Sequence, residues 1–293
     1  MSRSNLTLPV DLASGFSLAL GGGGARGFAH LGVAEALAER GLVPRRIVGT
    51  SMGSVIGAGL AAGLSAERMV AMAAQFDPWR MARRPARLAM FDHRPLMERV
   101  VAEVSNPRIE DLPIPFAAAT YDLVTGRQEL VTRGPVGDAL IRSCAISVVF
   151  APIIDGEAIW ADAGVWEPVP ISLTRSWSPE PVVGVQVIAP KPAWFANSPV
   201  AWSLRAGARF LGTGAPGDRL GARRYAALLA ARITDPVVNA PADLLILPNL
   251  RGISWVRFGN VEMPRRRGYE AAQRVLADAQ VVEPGPVPEV ARA

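Results

Sequence analysis

The stretch Phe16-Ser-Leu-Ala-Leu-Gly-Gly-Gly-Gly-Ala-Arg-Gly27 joins a short apolar run directly to a glycine-rich loop. An apolar run of this length that stops at glycine is typical of a buried strand. Apolar residues then recur at helical spacing from Ala25 to Arg40, and Gly41 ends the predicted helix. The sequence therefore places the free backbone amides of a glycine loop at a helix N-terminus, where an anion binds readily.

A second strand–turn–helix unit follows the first. Arg46 to Gly49 is a predicted strand, and Gly49-Thr-Ser-Met-Gly53 fits the G-x-S-x-G pattern of a nucleophile elbow. In such an elbow the serine, here Ser51, occupies a strained turn that exposes its hydroxyl at a helix N-terminus. Gly49 and Gly53 are expected to flank it because neighbouring backbone approaches closely. Adjacent parallel strands would bring Ser51 and the glycine loop to one edge of the sheet.

The rest of the chain alternates predicted strands with helices, which indicates a mostly parallel sheet covered on both faces. Segments 115–121 and 127–132 are predicted to form a hairpin of two strands. Segment 190–240 mixes aromatic residues with arginine and is interpreted as a helical arm or cap. We expect one domain over residues 15–282, with a flexible lead at 1–14 and a disordered tail at 283–293.

Composition excludes several classes of protein. Half of the 293 residues are hydrophobic and 19% are charged, which excludes a disordered chain. The net charge of +5 is too small for a nucleic-acid footprint and fits weak attraction to anionic lipid heads. No secretory signal or run of ~20 strongly apolar residues is found. Cys144 is the only cysteine, so no intramolecular disulfide is expected. These features predict a cytoplasmic protein and leave peripheral contact with anionic membranes open.

A dinucleotide-binding fold is a competing interpretation, because residues 22–27 also fit G-x-G-x-x-G. That fold requires an acidic residue about 20 positions further on, at the end of the second strand. Val48-Gly-Thr50 stands there instead, and no Gly-Lys-Ser/Thr of a phosphate-binding P-loop follows the glycines. The sequence therefore favours a serine elbow over a nucleotide site, and no cofactor is predicted.

The general base for Ser51 is the remaining question. His30 and His93 are the only histidines in the chain. We expect His30 to be a packed or capping residue and His93 to lie on the surface of a basic, proline-containing stretch. Asp162 ends a predicted strand before two small residues, so it can occupy a crowded, dry site. A carboxylate bonded to a serine hydroxyl acts as a general base when water is excluded.

Three motifs together resemble the patatin-like phospholipase family in order and spacing. They are Gly22–Gly27, Gly49–Gly53 and Asp162-Ala-Gly164. The similarity extends to four further segments, Ala29-His-Leu-Gly32, Thr120-Tyr-Asp-Leu-Val-Thr-Gly126, Ser143-Cys-Ala145 and Phe150-Ala-Pro152. The resemblance implies a three-layer α/β/α fold. It also implies hydrolysis of phospholipid or lysophospholipid acyl esters without a metal or cofactor.

The resemblance carries roles to individual residues. By it, Ser51 is the nucleophile, Asp162 is the base, and the amides of Gly22, Gly23 and Gly24 form the oxyanion hole. Arg26 and Gly27 would support that loop.

Two departures from the family pattern suggest an alternative, a weakly active or inactive lipid-binding relative. Ala163 replaces the usual glycine and disfavours positive φ, and segment 146–149 lacks an expected proline.

Overall fold

The computed structural model describes residues 10–73, 91–102, 106–147, 149–189, 222–232, 235, 237–238 and 240–278. Within these residues the strands form one eight-stranded sheet. The strands are β1 (Ser17–Leu20), β2 (Arg46–Thr50), β3 (Phe116–Asp122), β4 (Arg127–Val131), β5 (Ile153–Asp155), β6 (Ala158–Asp162), β7 (Val182–Val185) and β8 (Leu244–Ile246).

The central part of the sheet is parallel, as the alternating pattern predicts. The path through the sheet runs β5-β6-β3-β2-β1-β7-β8, and β4 also pairs with β3. Strands β3, β2, β1, β7 and β8 are parallel neighbours, whereas β4 and β6 pair antiparallel with β3. The predicted hairpin of β3 and β4 is confirmed. Strand β5, which pairs with β6, was not predicted.

The register along β3 brings two strand ends together. Strand β2 pairs with residues 116–119 of β3, and β4 pairs with residues 118–122. The overlap puts β2 and β4 on opposite edges of β3. Strand β6 pairs with residues 120–122, which β4 already covers from its own edge, so β6 shares the edge of β2. Strands β2 and β6 therefore meet end to end, with Thr50 opposite Ala119 and Asp162 opposite Thr120.

Helices cover the sheet in three α/β/α layers. They are α1 (Ala29–Ala38), α2 (Met52–Ala61), α3 (Ala66–Ala73), α4 (Arg94–Ala102), α5 (Val136–Ser143), α6 (Ile171–Trp177), α7 (Ala222–Arg232) and α8 (Glu262–Asp278). The first predicted helix is shorter than expected, because Gly24–Phe28 forms a 3-10 turn before α1. Helix α8 is the longest described helix, with 17 residues from Glu262 to Asp278.

The predicted chain ends and arm fall partly outside the described residues. Residues 10–14 are not a loose lead, because Leu12 is buried in the core and Asp11 accepts the amides of Ala13 and Ser14. Residues 1–9 and the predicted tail lie outside the described part. The same holds for most of the predicted arm, of which α7 is described. No helix among the described residues is long and apolar enough to span a bilayer.

Candidate active site

Ser51 occupies the sharp turn between β2 and α2. Its φ of 53° and ψ of −125° lie outside the regions that non-glycine residues favour. The close approach expected at the flanking glycines is present. A Cβ on Gly49 would lie 2.4 Å from the Gly53 carbonyl oxygen, and a Cβ on Gly53 would lie 2.2 Å from that of Leu20. The strained serine therefore depends on both glycines.

Asp162 lies at the end of β6, next to the elbow. Its side chain is buried, and burial raises its pKa to about 6 because a carboxylate loses hydration in an apolar environment. Two hydrogen-bond donors oppose this rise. They are the Ser51 hydroxyl and the Gly164 amide, whose nitrogen lies 2.8 Å from Asp162 Oδ1. The end-to-end arrangement of β2 and β6 thus places a carboxylate beside the serine hydroxyl.

Ala163 is accommodated without strain. It is buried, it begins the 3-10 turn Ala163–Val165, and it has no positive φ. An alanine at this position would displace Asp162 only if its backbone needed a positive φ. The structure does not require one, so the methyl group leaves the carboxylate in place.

The glycine loop presents two free amides. The Gly22 amide donates to the Pro168 carbonyl at 3.0 Å, so the expectation that Gly22 donates to an oxyanion is corrected. Within the described part of the chain, the amides of Gly23 and Gly24 have no acceptor. Gly24 has a φ of 53°, and a Cβ on it would lie 2.3 Å from the Trp255 carbonyl oxygen. Gly23 and Gly24 are therefore the residues of this loop whose amides remain free to bind an anion.

A distant segment holds the glycine loop. Arg26 donates through Nε to the Ile253 carbonyl at 2.8 Å, and the Ala25 amide donates to the Trp255 carbonyl at 2.8 Å. A Cβ on Gly27 would lie 2.4 Å from Cγ of Met52, so the start of α1 packs tightly on the start of α2. The amino-acid sequence gives no indication of this role for loop 251–258, because backbone carbonyl acceptors leave no side-chain signal.

Both histidines are structural. His30 is fully buried, and burial lowers its pKa to about 4, so it is neutral and donates through Nε2 to the Gly21 carbonyl at 2.8 Å. The prediction of a surface His93 is wrong. Its ring is buried against Phe150 and bonds through Nε2 to the Ile141 carbonyl at 2.7 Å. Burial also lowers the pKa of His93. Leu96 and Met97, three and four residues further along the chain, are also buried, so this part of the chain faces the core.

An apolar cavity of about 150 Å³ opens beside Ser51. Helices α2, α3, α4 and α5 supply most of its wall, including Val55, Met69, Met97, Val101 and Leu140. Cys144, directly after α5, also lines it. Ile146 and Val149 also line it. The amide of Phe150 donates to the Ile146 carbonyl at 2.7 Å, which forms a turn here without the expected proline. Trp255 and Phe258 complete the lining.

The described residues offer no group of three or more His, Cys, Asp or Glu side chains suited to a metal ion. The arrangement provides a serine hydroxyl next to a buried carboxylate, two free loop amides, and an apolar cavity lined by Ser51 and Gly24. A model of patatin-like phospholipases matches residues 18–175, more than half of the chain. This chain belongs to the patatin-like phospholipase family.

Curated relatives of this patatin-like chain include longer proteins. An uncharacterised NTE family protein of Mycobacterium tuberculosis is 38% identical over 168 residues, which cover 53% of this chain and 44% of that protein. Lysophospholipase NTE1 of Mycosarcoma maydis is 30% identical over 182 residues, 58% of this chain and 9% of that protein. This chain thus spans less than half the length of either relative.

A solved structure has the same fold as this patatin-like chain. VipD from Legionella pneumophila aligns with a TM-score of 0.52 at 13% identity, covering 95% of this chain and 72% of that one. The similarity supports the three-layer α/β/α architecture, and at this identity it concerns the fold alone.

Proposed function

We propose that this patatin-like chain is a serine esterase that hydrolyses acyl esters of phospholipids or lysophospholipids. One observation carries the proposal: a strained serine stands beside a buried carboxylate at an apolar cavity. The names of the fungal relative and of the family model, which refer to lysophospholipase and phospholipase, favour a lipid ester as substrate.

Acylation would begin with Asp162 accepting the Ser51 hydroxyl proton as Oγ attacks the ester carbonyl carbon. The carbonyl oxygen becomes an oxyanion, and the amides of Gly23 and Gly24 would stabilise it. Each such donor contributes roughly 3 kcal/mol to transition-state stabilisation in comparable enzymes. The proton on Asp162 then passes to the leaving alcohol as the tetrahedral intermediate collapses, which leaves an acyl group on Ser51.

Deacylation would use the same groups in reverse order. Asp162 takes a proton from water, the hydroxide attacks the acyl-enzyme carbonyl, and the same two amides stabilise the second oxyanion. The proton returns to Ser51 Oγ as the carboxylic acid leaves. During both steps the acyl chain would lie in the apolar cavity, which removes its hydrocarbon from water.

Access to lipid would use the surface around Trp255. This residue lines the cavity, yet 43% of it is exposed. Arg251 and Arg257 are exposed in the same loop. An exposed indole between cations suits the interface of an anionic bilayer. We propose that loop 251–258 contacts the membrane from which substrate enters.

The test is hydrolysis of p-nitrophenyl esters of graded chain length, combined with covalent labelling by a fluorophosphonate. Ser51→Ala is expected to abolish both signals. Asp162→Asn is expected to lower turnover by at least about a hundredfold, because Ser51 loses its base. The exposed variants Ser176→Ala and Asp155→Asn are the matched controls.

Two results would contradict the proposal. One is a folded wild-type protein that neither labels nor turns over esters or phospholipid vesicles, which would favour the inactive lipid-binding alternative. The other is activity that survives in Ser51→Ala, which would place the nucleophile elsewhere.

A further inference from the structure

The Ser143 hydroxyl holds the backbone amide of the nucleophile, and the Ser54 hydroxyl donates to the Ser51 carbonyl. Ser143 ends α5 and is fully buried. Its Oγ accepts the Ser51 amide at 2.9 Å and donates to the Ala119 carbonyl on β3 at 2.8 Å. A serine hydroxyl has one proton to donate, and Ala119 receives it. The lone pairs are therefore directed to the Ser51 amide.

The Ser143 hydroxyl replaces a backbone hydrogen bond that is missing between β2 and β3. At the start of the ladder, the Ile47 amide donates to the Pro115 carbonyl at 2.9 Å. Four residues further along both strands, the regular spacing of a parallel ladder would join the Ser51 amide to the Ala119 carbonyl. The Ser143 hydroxyl is inserted between these two groups and bonds to both. Strand β2 can therefore turn away from β3 at Ser51 without leaving a buried amide or carbonyl unsatisfied.

The residues that follow Ser143 hold the backbone of Asp162, the proposed partner of Ser51. The Ala145 carbonyl accepts the Asp162 amide at 3.0 Å. Between them, Cys144 contacts Ser51 through its thiol and lines the apolar cavity. One short segment thus bonds the backbone of Ser51 through a side chain and the backbone of Asp162 through a carbonyl. Its geometry sets the separation of the two groups.

We infer that Ser143 is a positioning residue for Ser51, which its hydroxyl holds in the strained elbow conformation by bridging β2 to β3. This inference rests on the proposed function for its catalytic consequence, whereas the bridge itself is independent of activity. Without the hydroxyl, the Ser51 amide and the Ala119 carbonyl can approach each other and draw Ser51 towards extended backbone. That movement would carry Oγ away from Asp162 and the glycine amides.

The experiment compares Ser143→Ala with Ser143→Thr, which keeps the hydroxyl. Ser17→Ala is the control, because Ser17 is an equally buried, hydrogen-bonded serine. It begins β1, at the end of the strand away from the glycine loop. Four quantities are measured on folded protein: kcat and KM for a p-nitrophenyl ester, the rate of fluorophosphonate labelling, and the rate of hydrogen–deuterium exchange of the Ser51 amide.

Ser143→Ala is expected to lower kcat and the labelling rate by roughly 10- to 100-fold, the loss that misplacement of a reacting group by about 1 Å produces. KM should change little, because the cavity is intact. The Ser51 amide should exchange faster than in wild type. Ser143→Thr should recover most of the loss in kcat and most of the loss in labelling rate. Ser17→Ala should show neither loss. If Ser143→Ala does not fold, Ser143→Cys replaces it, since a thiol is a weaker acceptor of similar size.

A wild-type kcat in Ser143→Ala would overturn the inference. An unchanged rate of hydrogen–deuterium exchange at the Ser51 amide in this variant would also overturn it. Equal losses in folded Ser143→Ala and Ser143→Thr would also overturn it, because the hydroxyl would then be irrelevant. A wild-type protein that neither labels nor turns over ester would instead contradict the proposed function. The exchange rates would still decide whether Ser143 holds the elbow.

Discussion

At the scale of single residues, the proposed use of Asp162 as a base carries a thermodynamic penalty. A base must be ionised near neutral pH, yet burial disfavours the ionised carboxylate and raises its pKa to about 6. The unfolded chain would ionise the same group at its ordinary pKa of 3.8. The folded state therefore binds this proton more tightly than the unfolded state does.

The sign of the resulting pH dependence follows from linkage. The contribution of Asp162 to stability is fully present below pH 3.8 and is lost as pH rises through about 6. Asp162→Asn removes the buried charge, and Asn keeps an oxygen for the Gly164 amide. We expect this variant to be more stable than wild type at pH 8 by about 1–3 kcal/mol, since one pKa unit corresponds to about 1.4 kcal/mol. The advantage should shrink towards pH 4.

Urea denaturation at pH 4, 6 and 8 measures this difference. Asp155→Asn, in which the carboxylate is largely exposed in an ion pair with Arg142, is the control and should show little change. A difference between Asp162→Asn and wild type that stays constant from pH 4 to pH 8 would show that titration of Asp162 is not its cause.

At the scale of elements, the contact between α1 and α8 depends on two glycines. A Cβ on Gly32 would lie 1.9 Å from the Arg265 carbonyl oxygen, and a Cβ on Gly268 would lie 1.9 Å from that of Ala29. Backbone therefore packs on backbone where these helices touch. Because Ala29 begins α1 directly after the glycine loop, the contact also sets the position of that loop.

Gly268→Ala is expected to destabilise the protein by at least about 2 kcal/mol, because overpacked backbone must shift. The change would raise helix propensity, which works in the opposite direction. Gly259→Ala is the control, since nothing lies within 4 Å of its Cβ position and its φ is not positive. Midpoints of urea unfolding measure both variants. Equal midpoints for the two would contradict the close contact.

Elements also show which parts of the site can be predicted from sequence. The glycine loop and the Ser51 elbow are local, since each motif lies within one strand–turn–helix unit. The position of Asp162 next to Ser51 cannot be predicted from a local motif. It depends on long-range pairing, in which β2 and β6 occupy successive parts of the same edge of β3. The bonds of Ser143 and of the Trp255 carbonyl leave still less signal, because each depends on a contact between distant segments. The surface position predicted for His93 was wrong because its neighbours in sequence are basic, although its own side chain faces the core.

At the scale of the whole molecule, charge and apolar surface coincide at the cavity. Trp255 is exposed there, and Arg251 and Arg257 belong to the same loop. Each basic residue near an anionic bilayer contributes about 1 kcal/mol to binding. The loop also holds Ala25 and Arg26, so the surface proposed to contact lipid is bonded to the glycine loop.

The double variant Arg251→Glu/Arg257→Glu is expected to bind vesicles containing phosphatidylglycerol at least about tenfold more weakly than wild type, because attraction becomes repulsion. Cosedimentation in low salt measures the bound fraction, and the difference should diminish as salt rises. Arg133→Glu, an exposed reversal beyond the end of β4, is the control. Equal binding of all three proteins would place the lipid-facing surface elsewhere.

The end-to-end meeting of β2 and β6 has a consequence for biosynthesis. Ser51 and Asp162 are 111 positions apart (162 − 51), and they become neighbours only when β3 has aligned both strands. A ribosome-bound chain that has exposed the serine but not yet β6 has a nucleophile without its base. Under the proposed mechanism, a nascent or truncated polypeptide therefore cannot attack the lipids of the cell that makes it.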